Sequence, residues 1–300
     1  MDIQDILKQL EVNEGSFPQE AVAQAIEQRE AITPELLRIL EYARDNVEHL
    51  SETGYMAHIY ALYLLAQFRE SRAYPLIVQF FSTPGEITLD VTGDVVSEDL
   101  GRILASVAHG DIGLITSLVE NEQGNEYVRD AALRSLVTVV ACGEQTREDV
   151  LAYYQSLFQG RLPREFSILW NGLVWSSTHL YPEELYEDIK QAYEDGLVET
   201  GVIRLEDVEE TLERGKERVL DELSNNQRYR LITDTISEME GWACFRSADR
   251  LPSPSHTATS VRQPRTFAPV RQTLPQQSKQ KPKDKRKRKL AKASRRKNRR

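Results

Sequence analysis

The sequence has 300 residues, of which 40% are hydrophobic and 28% are charged, and its formal net charge is -9. This length and apolar content suffice for one large or two ordinary globular domains with a buried core. No apolar run approaches the roughly 18 residues that a membrane-spanning helix needs, so we expect no membrane insertion. Residues 1–15 are acidic and lack the basic start and apolar core of a signal peptide, which predicts a cytoplasmic protein.

Charge is distributed unevenly along the chain. Residues 1–245 carry 45 acidic and 19 basic side chains, a net charge of -26, whereas residues 246–300 carry 2 acidic and 19 basic ones, a net charge of +17. This asymmetry is typical of a basic arm for a polyanion attached to a body that would itself repel one. We therefore predict a folded domain over 1–245, a disordered linker rich in Pro, Ser, Thr and Gln over 246–280, and a basic tail over 281–300.

Helical periodicity dominates the predicted folded domain, with prolines where helices should begin. In ITPELLRILEYA, Thr33 is placed to cap a helix whose first position is Pro34. In YPEELYEDIKQAYEDG, Pro182 lies near the predicted start and Gly196 just beyond the predicted end. The best strand candidates, EITLDVTGDVV and LVETGVIRL, are short and bounded by Gly, so we predict that both are connections between helices.

Three pairs of apolar segments recur at spacings of about 30 to 40 residues, which is typical of stacked helical hairpins. The pairs are YMAHIYALYLLAQF with YPLIVQFF, DLGRILASVA with GLITSLVE, and YVRDAALRSLVTVV with EDVLAYYQSLF. Neither helix of a pair can cover its apolar face alone, so neighbouring pairs must cover it. We therefore predict three consecutive antiparallel hairpins over residues 55–160, with the first helix buried between neighbours.

Two resemblances support an all-α fold. The stretch VRDAALRSL resembles the first helix of a HEAT-type repeat. FPQEAVAQAIEQREAITPELLRILEYA, YALYLLAQFRESRAYPLIVQFFSTPGE, EDLGRILASV and IKQAYEDGLVE resemble the bacterial domain-of-unknown-function 1186 family over most of residues 17–214. That resemblance implies a bacterial, all-helical, cytoplasmic protein and brings no known activity or catalytic residues. Some relatives end in a Cys-rich, zinc-binding knuckle, but the tail here has no cysteine, so zinc binding is not carried over.

The expected architecture combines these observations. It is an all-α fold of HEAT- or armadillo-like stacked helical hairpins, followed by a disordered basic C-terminal tail.

No catalytic or metal-binding pattern stands out in the sequence. The five histidines lie far apart without metal-binding or triad-like spacing, and no Gly-rich phosphate-binding motif occurs, so we predict no cofactor, metal or catalytic residue. His58 lies within an apolar helix, and we interpret it as a hydrogen-bonded core residue that faces a neighbouring turn. Cys142 and Cys244 have no partner at metal-binding spacing, which favours a reducing compartment.

The densest acidic group between two predicted helices contains Asp90, Asp94, Glu98 and Asp99. Oxygen-rich loops can hold Ca²⁺ or Mg²⁺, but the spacing here does not fit an EF-hand. We interpret the group as structural, with Asp94 or Ser97 capping the helix that follows and the acids favouring its positive end.

Aromatic side chains supply a candidate partner-binding groove. Phe166, Trp170 and Val174 recur every four residues, which predicts a buried stripe. Trp175 follows one residue later, and an alternative to burial is that it faces a groove of the hairpin stack and anchors a partner peptide.

Tyr153 and Tyr154 are the other candidates for this groove. Adjacent residues on a helix point about 100° apart, so we expect one tyrosine to be buried and the other to face solvent. The sequence leaves open which of the two is buried.

The basic tail is the candidate contact for RNA, DNA or the ribosome. Lys and Arg release counterions from phosphates, which gives affinity without sequence preference. The absence of aromatic residues from 268–300 favours contact with the phosphate backbone over base stacking. The predicted contact residues are Lys281, Lys283, Lys285, Arg286, Lys287, Arg288, Lys289, Lys292, Arg295, Arg296, Lys297, Arg299 and Arg300.

Three functions remain open from the sequence. The preferred one is a non-enzymatic scaffold that holds a protein partner and contacts nucleic acid or the ribosome through its tail. The second is a scaffold for proteins alone, whose tail is a solvated appendage that aids solubility. The third is an enzyme that no motif reveals. The run KRKRK would also suit nuclear import, which the bacterial resemblance disfavours.

Overall fold

The computed structural model describes residues 1–245, and the predicted linker and tail lie outside the described residues. Within the described part every regular element is helical, with 17 α-helices and no strand, so the all-α prediction is confirmed. The helices are α1 (Ile3–Glu11), α2 (Gln19–Glu27), α3 (Arg29–Asp45), α4 (Val47–Thr53), α5 (Ala57–Gln67), α6 (Ala73–Phe81), α7 (Ile87–Thr92), α8 (Val95–Glu98), α9 (Leu100–Ala108), α10 (Gly113–Glu120), α11 (Glu126–Ala141), α12 (Arg147–Ser156), α13 (Ile168–His179), α14 (Tyr186–Glu194), α15 (Leu205–Glu213), α16 (Lys216–Ser224) and α17 (Thr235–Met239).

The six segments predicted as hairpins form α5 and α6, α9 and α10, and α11 and α12. The first helices of successive pairs pack side by side, since α5 contacts α9, α9 contacts α11 and α11 contacts α13. In a second layer, α6 contacts α10. The helices therefore stack, but α6 packs mainly on α3 and α10 mainly on α11, so of the three predicted hairpins only α11 with α12 forms a direct helix pair. The assignment to the HEAT or armadillo repeat type stays a prediction.

The turns that end the first-layer helices are joined by hydrogen bonds. His109 Nε2 donates to the C=O of Arg69 over 2.6 Å, and these residues are 40 apart in sequence. Gln145 Nε2 donates to the C=O of Gly110 over 2.5 Å, across 35 residues. Such bonds satisfy carbonyl groups that a helix end leaves unpaired. They therefore hold consecutive first-layer helices at a fixed spacing.

Arg147 makes the next connection in this series. Its side chain is only 5% exposed, and its Nε donates to the C=O of Leu180 over 2.5 Å. The same guanidinium donates to the C=O of Tyr181 and to both carboxylate oxygens of Glu184. Because these contacts all go to the segment between α13 and α14, Arg147 fixes α12 against that segment.

Helix α5 is buried on nearly all sides, as predicted. Every residue from Ala57 to Ala66 is buried, and Leu65 is inaccessible to solvent. The helix contacts α1, α3 and α9, which cover its apolar surface. A helix that is apolar all round is stable only in such a position.

Two glycines allow helices to approach α11 closely. A Cβ on Gly101 of α9 would lie 3.0 Å from the C=O of Ala131, and a Cβ on Gly172 of α13 would overlap a carboxylate oxygen of Asp130. A side chain at position 101 would press on the backbone of α11, whereas one at position 172 would displace the Asp130 carboxylate or move α13. Both glycines therefore suit a close approach to α11, independently of backbone angles.

Residues 226–245, which we call the strap, cross the first layer after α16. The backbone N–H of Ile232 donates to Ser106 Oγ on α9 over 2.9 Å. The N–H of Thr235 donates to Gln67 Oε1 at the end of α5 over 2.8 Å. The strap thus lies on helices that precede it by more than a hundred residues.

The end of the strap packs on α5 and on Phe17, which precedes α2. The rings of Trp242 and Tyr63 are 5.6 Å apart, and those of Phe245 and Phe17 are 5.4 Å apart, both edge-on. Edge-on aromatic pairs at such distances are favourable beyond the area they bury. The strap therefore joins the two ends of the described chain.

The predicted start of α3 is wrong. The helix begins at Arg29, and Thr33 lies inside it with its hydroxyl donating to the C=O of Arg29 over 2.7 Å, so Thr33 is not a cap. Pro34 lies within the helix. The guanidinium of Arg29 donates to the C=O of Phe68 and lies 5.3 Å from that ring, and this contact with α5 stabilises the additional first turn.

The segment EITLDVTGDVV was predicted as a connection and is instead helical, forming α7 and α8. Gly93, with φ of 57°, separates the two short helices. LVETGVIRL does connect α14 to α15, as predicted. The predicted end of the YPEELYEDIKQAYEDG helix is confirmed, since α14 ends at Glu194 shortly before Gly196. Its start lies later than predicted, because Pro182 precedes a 3-10 turn of Glu183–Leu185 and α14 begins at Tyr186.

The predicted aromatic stripe is buried only in part. Trp170 and Val174 are inaccessible to solvent, whereas Phe166 is 62% exposed. Phe166 precedes α13, which begins at Ile168, so helical spacing does not apply to it. No helix within residues 1–245 combines the length and apolar character needed to cross a membrane.

Candidate functional site

A polar cleft of about 460 Å³ lies where the strap crosses α9, α11 and α13. We call it the arginine cleft, because four arginines line it together with two aromatic residues. These lining residues are Arg102, Arg134, Arg228, Arg230, Trp175 and Tyr229.

Arg102 of α9 fixes the strap at the floor of the cleft. Its guanidinium donates to both carboxylate oxygens of Glu238, over 2.8 and 2.6 Å, and its Nε donates to the C=O of Arg230 over 2.8 Å. Burial lowers the pKa of Arg102, but the hydrogen bonds and charges of Glu238 and Asp99 outweigh it and raise that pKa. Arg102 therefore stays charged and holds the strap in place.

Asp99 is the second acid on Arg102, at 2.9 Å. It also accepts a hydrogen bond from the Tyr63 hydroxyl over 2.5 Å. Burial, and then the charge of Asp99, raise the pKa of Tyr63, so this hydroxyl remains a donor. The cluster of Tyr63, Asp99, Arg102 and Glu238 thus links α5, α9 and the strap.

The capping roles predicted for Asp94 and Ser97 are wrong. The Asp94 side chain makes no capping hydrogen bond, and the Ser97 hydroxyl donates to the C=O of Asp94 over 3.1 Å. The residue before α9 is Asp99, whose carboxylate serves the tertiary cluster instead of the helix end. Within the described residues, no group of three or more His, Cys, Asp or Glu side chains could hold a metal ion.

Part of the guanidinium group of Arg134, on α11, is paired with neighbouring protein groups. Its Nη1 donates to the C=O of Ser97 over 2.7 Å, and its Nε lies 3.2 Å from the Asp130 carboxylate. Burial raises the pKa of Asp130, and the charge of Arg134 opposes that shift. This pair belongs to the wall between α11 and α13.

Arg228 and Arg230 differ from the other two arginines. Both are exposed, and among residues 1–245 neither side chain makes an ion pair or a hydrogen bond. They flank Tyr229, whose side chain is buried and whose C=O accepts from the Cys142 thiol over 3.4 Å. Two free guanidinium groups at one cleft can bind a carboxylate or a phosphate.

Trp175 is the exposed aromatic residue at this site. It is 41% exposed, and its ring lies 5.5 Å from that of His179, which lies 5.0 Å from that of Tyr229. Burial lowers the pKa of His179, and the Trp175 carbonyl opposes this by accepting its hydrogen bond. The neutral imidazole therefore packs as part of an aromatic row.

A second cavity of about 470 Å³ also borders Trp175, and Ile203, Val219 and Leu223 supply its apolar lining. We call it the apolar compartment. The charges of Arg214 and Glu222 at its edge are paired with each other. Trp175 lines both this compartment and the arginine cleft, so the apolar and the cationic cavity share this residue.

Of the three residues predicted for a partner groove, only Trp175 reaches this site. Tyr154 is inaccessible to solvent, and its hydroxyl donates to the C=O of Leu133 over 2.8 Å, so it belongs to the core and its assignment to a groove is wrong. Tyr153 is half-buried on α12, with its hydroxyl 3.4 Å from the C=O of Thr116 on α10. Tyr153 does not line the cleft.

The guanidinium groups that are unpaired within residues 1–245 and the exposed indole at the cleft are suited to binding a ligand. Cys142 lies near Tyr229, but burial raises the pKa of its thiol, which disfavours the reactive thiolate. Sequence reasoning missed Arg228 and Arg230, since NQRYRLIT begins with a short 3-10 turn, Gln227–Tyr229, that leaves no periodic signal. The tail residues predicted to contact phosphates lie outside the described residues.

The model of the family "Protein of unknown function (DUF1186)" matches residues 1–246. An uncharacterized protein of Chlamydia trachomatis serovar D is 43% identical over 244 residues, which are 81% of this chain and 96% of that protein. An uncharacterized protein of Chlamydia muridarum is 42% identical over 244 residues, with 81% and 97% covered. No solved structure matches the chain.

Proposed function

We propose that this chain, which belongs to the DUF1186 family of proteins of unknown function, is a non-enzymatic scaffold. Its stack of helices would hold a protein partner at Trp175, and its basic tail would contact RNA, DNA or the ribosome. A cytoplasmic location is part of this proposal.

The observation that carries the partner site is the position of Trp175. A large aromatic side chain that is 41% exposed between two cavities leaves apolar area uncovered on a body whose other tryptophan on α13, Trp170, is fully buried. Tryptophan and arginine are enriched among the residues that dominate binding energy at protein interfaces. The exposed indole and the adjoining arginines favour a partner contact here.

The tail contact is supported by the sequence alone. Thirteen basic residues against one acid in residues 281–300 supply a dense positive charge, and the net charge of -26 on residues 1–245 would by itself repel a polyanion. The tail is therefore the segment suited to a nucleic acid. A protein-only scaffold, whose tail aids solubility, is the alternative that the absence of nucleic-acid binding would favour.

The partner contact is tested by affinity purification of full-length protein and its Trp175→Ala variant from a bacterial lysate, with captured proteins identified by mass spectrometry. Phe166→Ala is the matched control, because Phe166 is also an exposed aromatic residue but precedes α13 and does not line either cavity. We expect Trp175→Ala to lose a protein that the wild type and Phe166→Ala both retain. Equal capture by all three would reject the site.

A further inference from the structure

We propose that the arginine cleft and the apolar compartment together bind an extended peptide segment of a partner, in which an apolar side chain stands next to acidic residues. This inference rests on the proposed function and names the chemistry of the partner. The apolar side chain would enter the compartment beside Trp175, and the acidic side chains would pair with Arg228 and Arg230.

The charge of the cleft argues for an acidic ligand. Arg228 and Arg230 have no ion-pair partner within residues 1–245, although acids outnumber bases there by 45 to 19. The Debye length is about 8 Å at physiological ionic strength, so a short ligand responds to these two arginines more than to distant acids on the body. A long polyanion would meet those acids as well. The cleft therefore favours a short acidic segment over a nucleic acid.

The acids of the cleft do not cancel this preference. Asp99 and Glu238 are both paired with Arg102, as described above. Glu98 is exposed and lines the cleft at the side shared with a neighbouring cavity between α5, α8 and Trp242. An acidic ligand is thus expected to bind along Arg228 and Arg230 and to avoid the α8 side.

The shared tryptophan argues for an extended peptide. Each of the two cavities has a volume within the usual range for small ligands, but Trp175 borders both. Successive side chains of an extended peptide are spaced by about 3.3 Å along its backbone, so neighbouring residues can lie on either side of one indole ring. Because Arg214 is already paired with Glu222, the described residues that line the apolar compartment offer no free cation, and the compartment selects an uncharged side chain.

The test uses a fluorescein-labelled synthetic peptide in which Leu and Phe are followed by a short run of Asp and Glu, with Gly and Ser at both ends. Its binding to the full-length protein is measured by fluorescence anisotropy at physiological salt. The variant Arg228→Gln/Arg230→Gln is compared with the matched control Arg38→Gln/Arg72→Gln. The control also removes two positive charges from strongly exposed arginines, but on α3 and beside α6.

We expect the cleft variant to raise Kd at least about tenfold, since charge-assisted hydrogen bonds contribute about 1.5 to 3 kcal/mol each and 1.4 kcal/mol corresponds to tenfold. The control variant should stay within about twofold of the wild type. Equal Kd values for the two variants, or no binding up to millimolar protein, would overturn the inference.

The basic tail would also attract an acidic peptide, so a second peptide separates the two contributions. It keeps the acidic run and replaces Leu and Phe by Gly. We expect it to bind more weakly than the first peptide and to be insensitive to Trp175→Ala, whereas the first peptide should lose affinity with that variant. Equal binding of both peptides would overturn the inference. A partner lost with Trp175→Ala but retained by Arg228→Gln/Arg230→Gln in the lysate experiment would reject the acidic class and leave the proposed function standing.

Discussion

His58 lies inside α5 with its Nε2 2.8 Å from the C=O of Val91 and its ring stacked on that of Tyr55. Burial lowers its pKa to about 4, and the hydrogen bond to Val91 opposes this shift. An unfolded histidine has a pKa near 6.5, so between about pH 6.5 and pH 4 the unfolded chain binds a proton that the folded chain does not. Stability therefore falls as the pH decreases through this window.

His58→Gln removes this titration while keeping an N–H donor for Val91. The full pKa difference corresponds to about 3 kcal/mol, so the wild type should lose about that much more unfolding free energy than the variant between pH 7 and pH 4. Urea denaturation of both proteins across this range measures the difference. Parallel pH profiles would mean that His58 titrates normally in the folded protein.

Gly172 provides a second test at the level of a single residue. A Cβ there would overlap the half-buried Asp130 carboxylate, so this carboxylate would have to leave its pair with Arg134 or α13 would have to move. Overpacking of this kind costs about 1 to 3 kcal/mol, so Gly172→Ala should lower the melting temperature. Gly201→Ala is the control, because a Cβ at Gly201 meets no atom within 4 Å. A similar effect of both substitutions would contradict the close approach of α13 to α11.

The sequence predicted some individual residues well and others not at all. The polar ring of His58 inside an apolar helix needs a hydrogen-bond partner, and that requirement alone predicted its role. Which of Tyr153 and Tyr154 is buried depends on where α10 and α11 lie, and helical spacing alone does not give those positions. Arg228 and Arg230 were missed because their proposed role depends on having no ion-pair partner among residues 1–245, a property that only the folded arrangement shows.

At the scale of elements, the helical spacing of apolar residues predicted the helices that bury one face. It did not predict helix ends that depend on tertiary contacts. The α5, α9 and α11 segments were found because their apolar residues recur at helical spacing. The start of α3 was misplaced because the contact of Arg29 with Phe68 extends the helix beyond its proline signal. Short helices such as α7 contain too few turns for a periodic pattern to stand out.

The burial of α5 gives a prediction at this scale. Leu65 is inaccessible to solvent, and Leu-to-Ala substitutions in cores cost about 2 to 5 kcal/mol. Leu65→Ala should therefore lower the melting temperature clearly. Leu76→Ala on α6 should have a smaller effect, because Leu76 is only half-buried. Thermal unfolding followed by circular dichroism compares the two, and an unchanged melting temperature for Leu65→Ala would mean that α5 is not buried between its neighbours.

At the scale of the whole molecule, the division of charge between body and tail gives a prediction for nucleic-acid binding. If the tail contacts about six phosphates, log K against log salt should have a slope near -5 for duplex DNA and near -4 for single strands. Deleting residues 281–300 should abolish this binding and leave the melting temperature nearly unchanged, since the segment has almost no bulky apolar residue to contribute to a core.

Fluorescence anisotropy with labelled duplex DNA and single-stranded RNA over a range of salt concentrations measures both slopes. The full-length protein serves as the reference for the deletion. Binding of the truncated protein as tight as that of the full chain would assign the contact to the body. Salt-insensitive binding would exclude a phosphate-backbone contact.

The strap also constrains the order in which the protein can reach its final structure during synthesis. Chains emerge with their N-terminal residues first, yet Phe17 and Tyr63 are covered by Phe245 and Trp242 at the other end of the domain. Contacts between residues so distant in sequence form late, because a long loop must close before they contribute any stability. Phe17 and Tyr63 therefore lack their aromatic partners until nearly the entire domain has been synthesised.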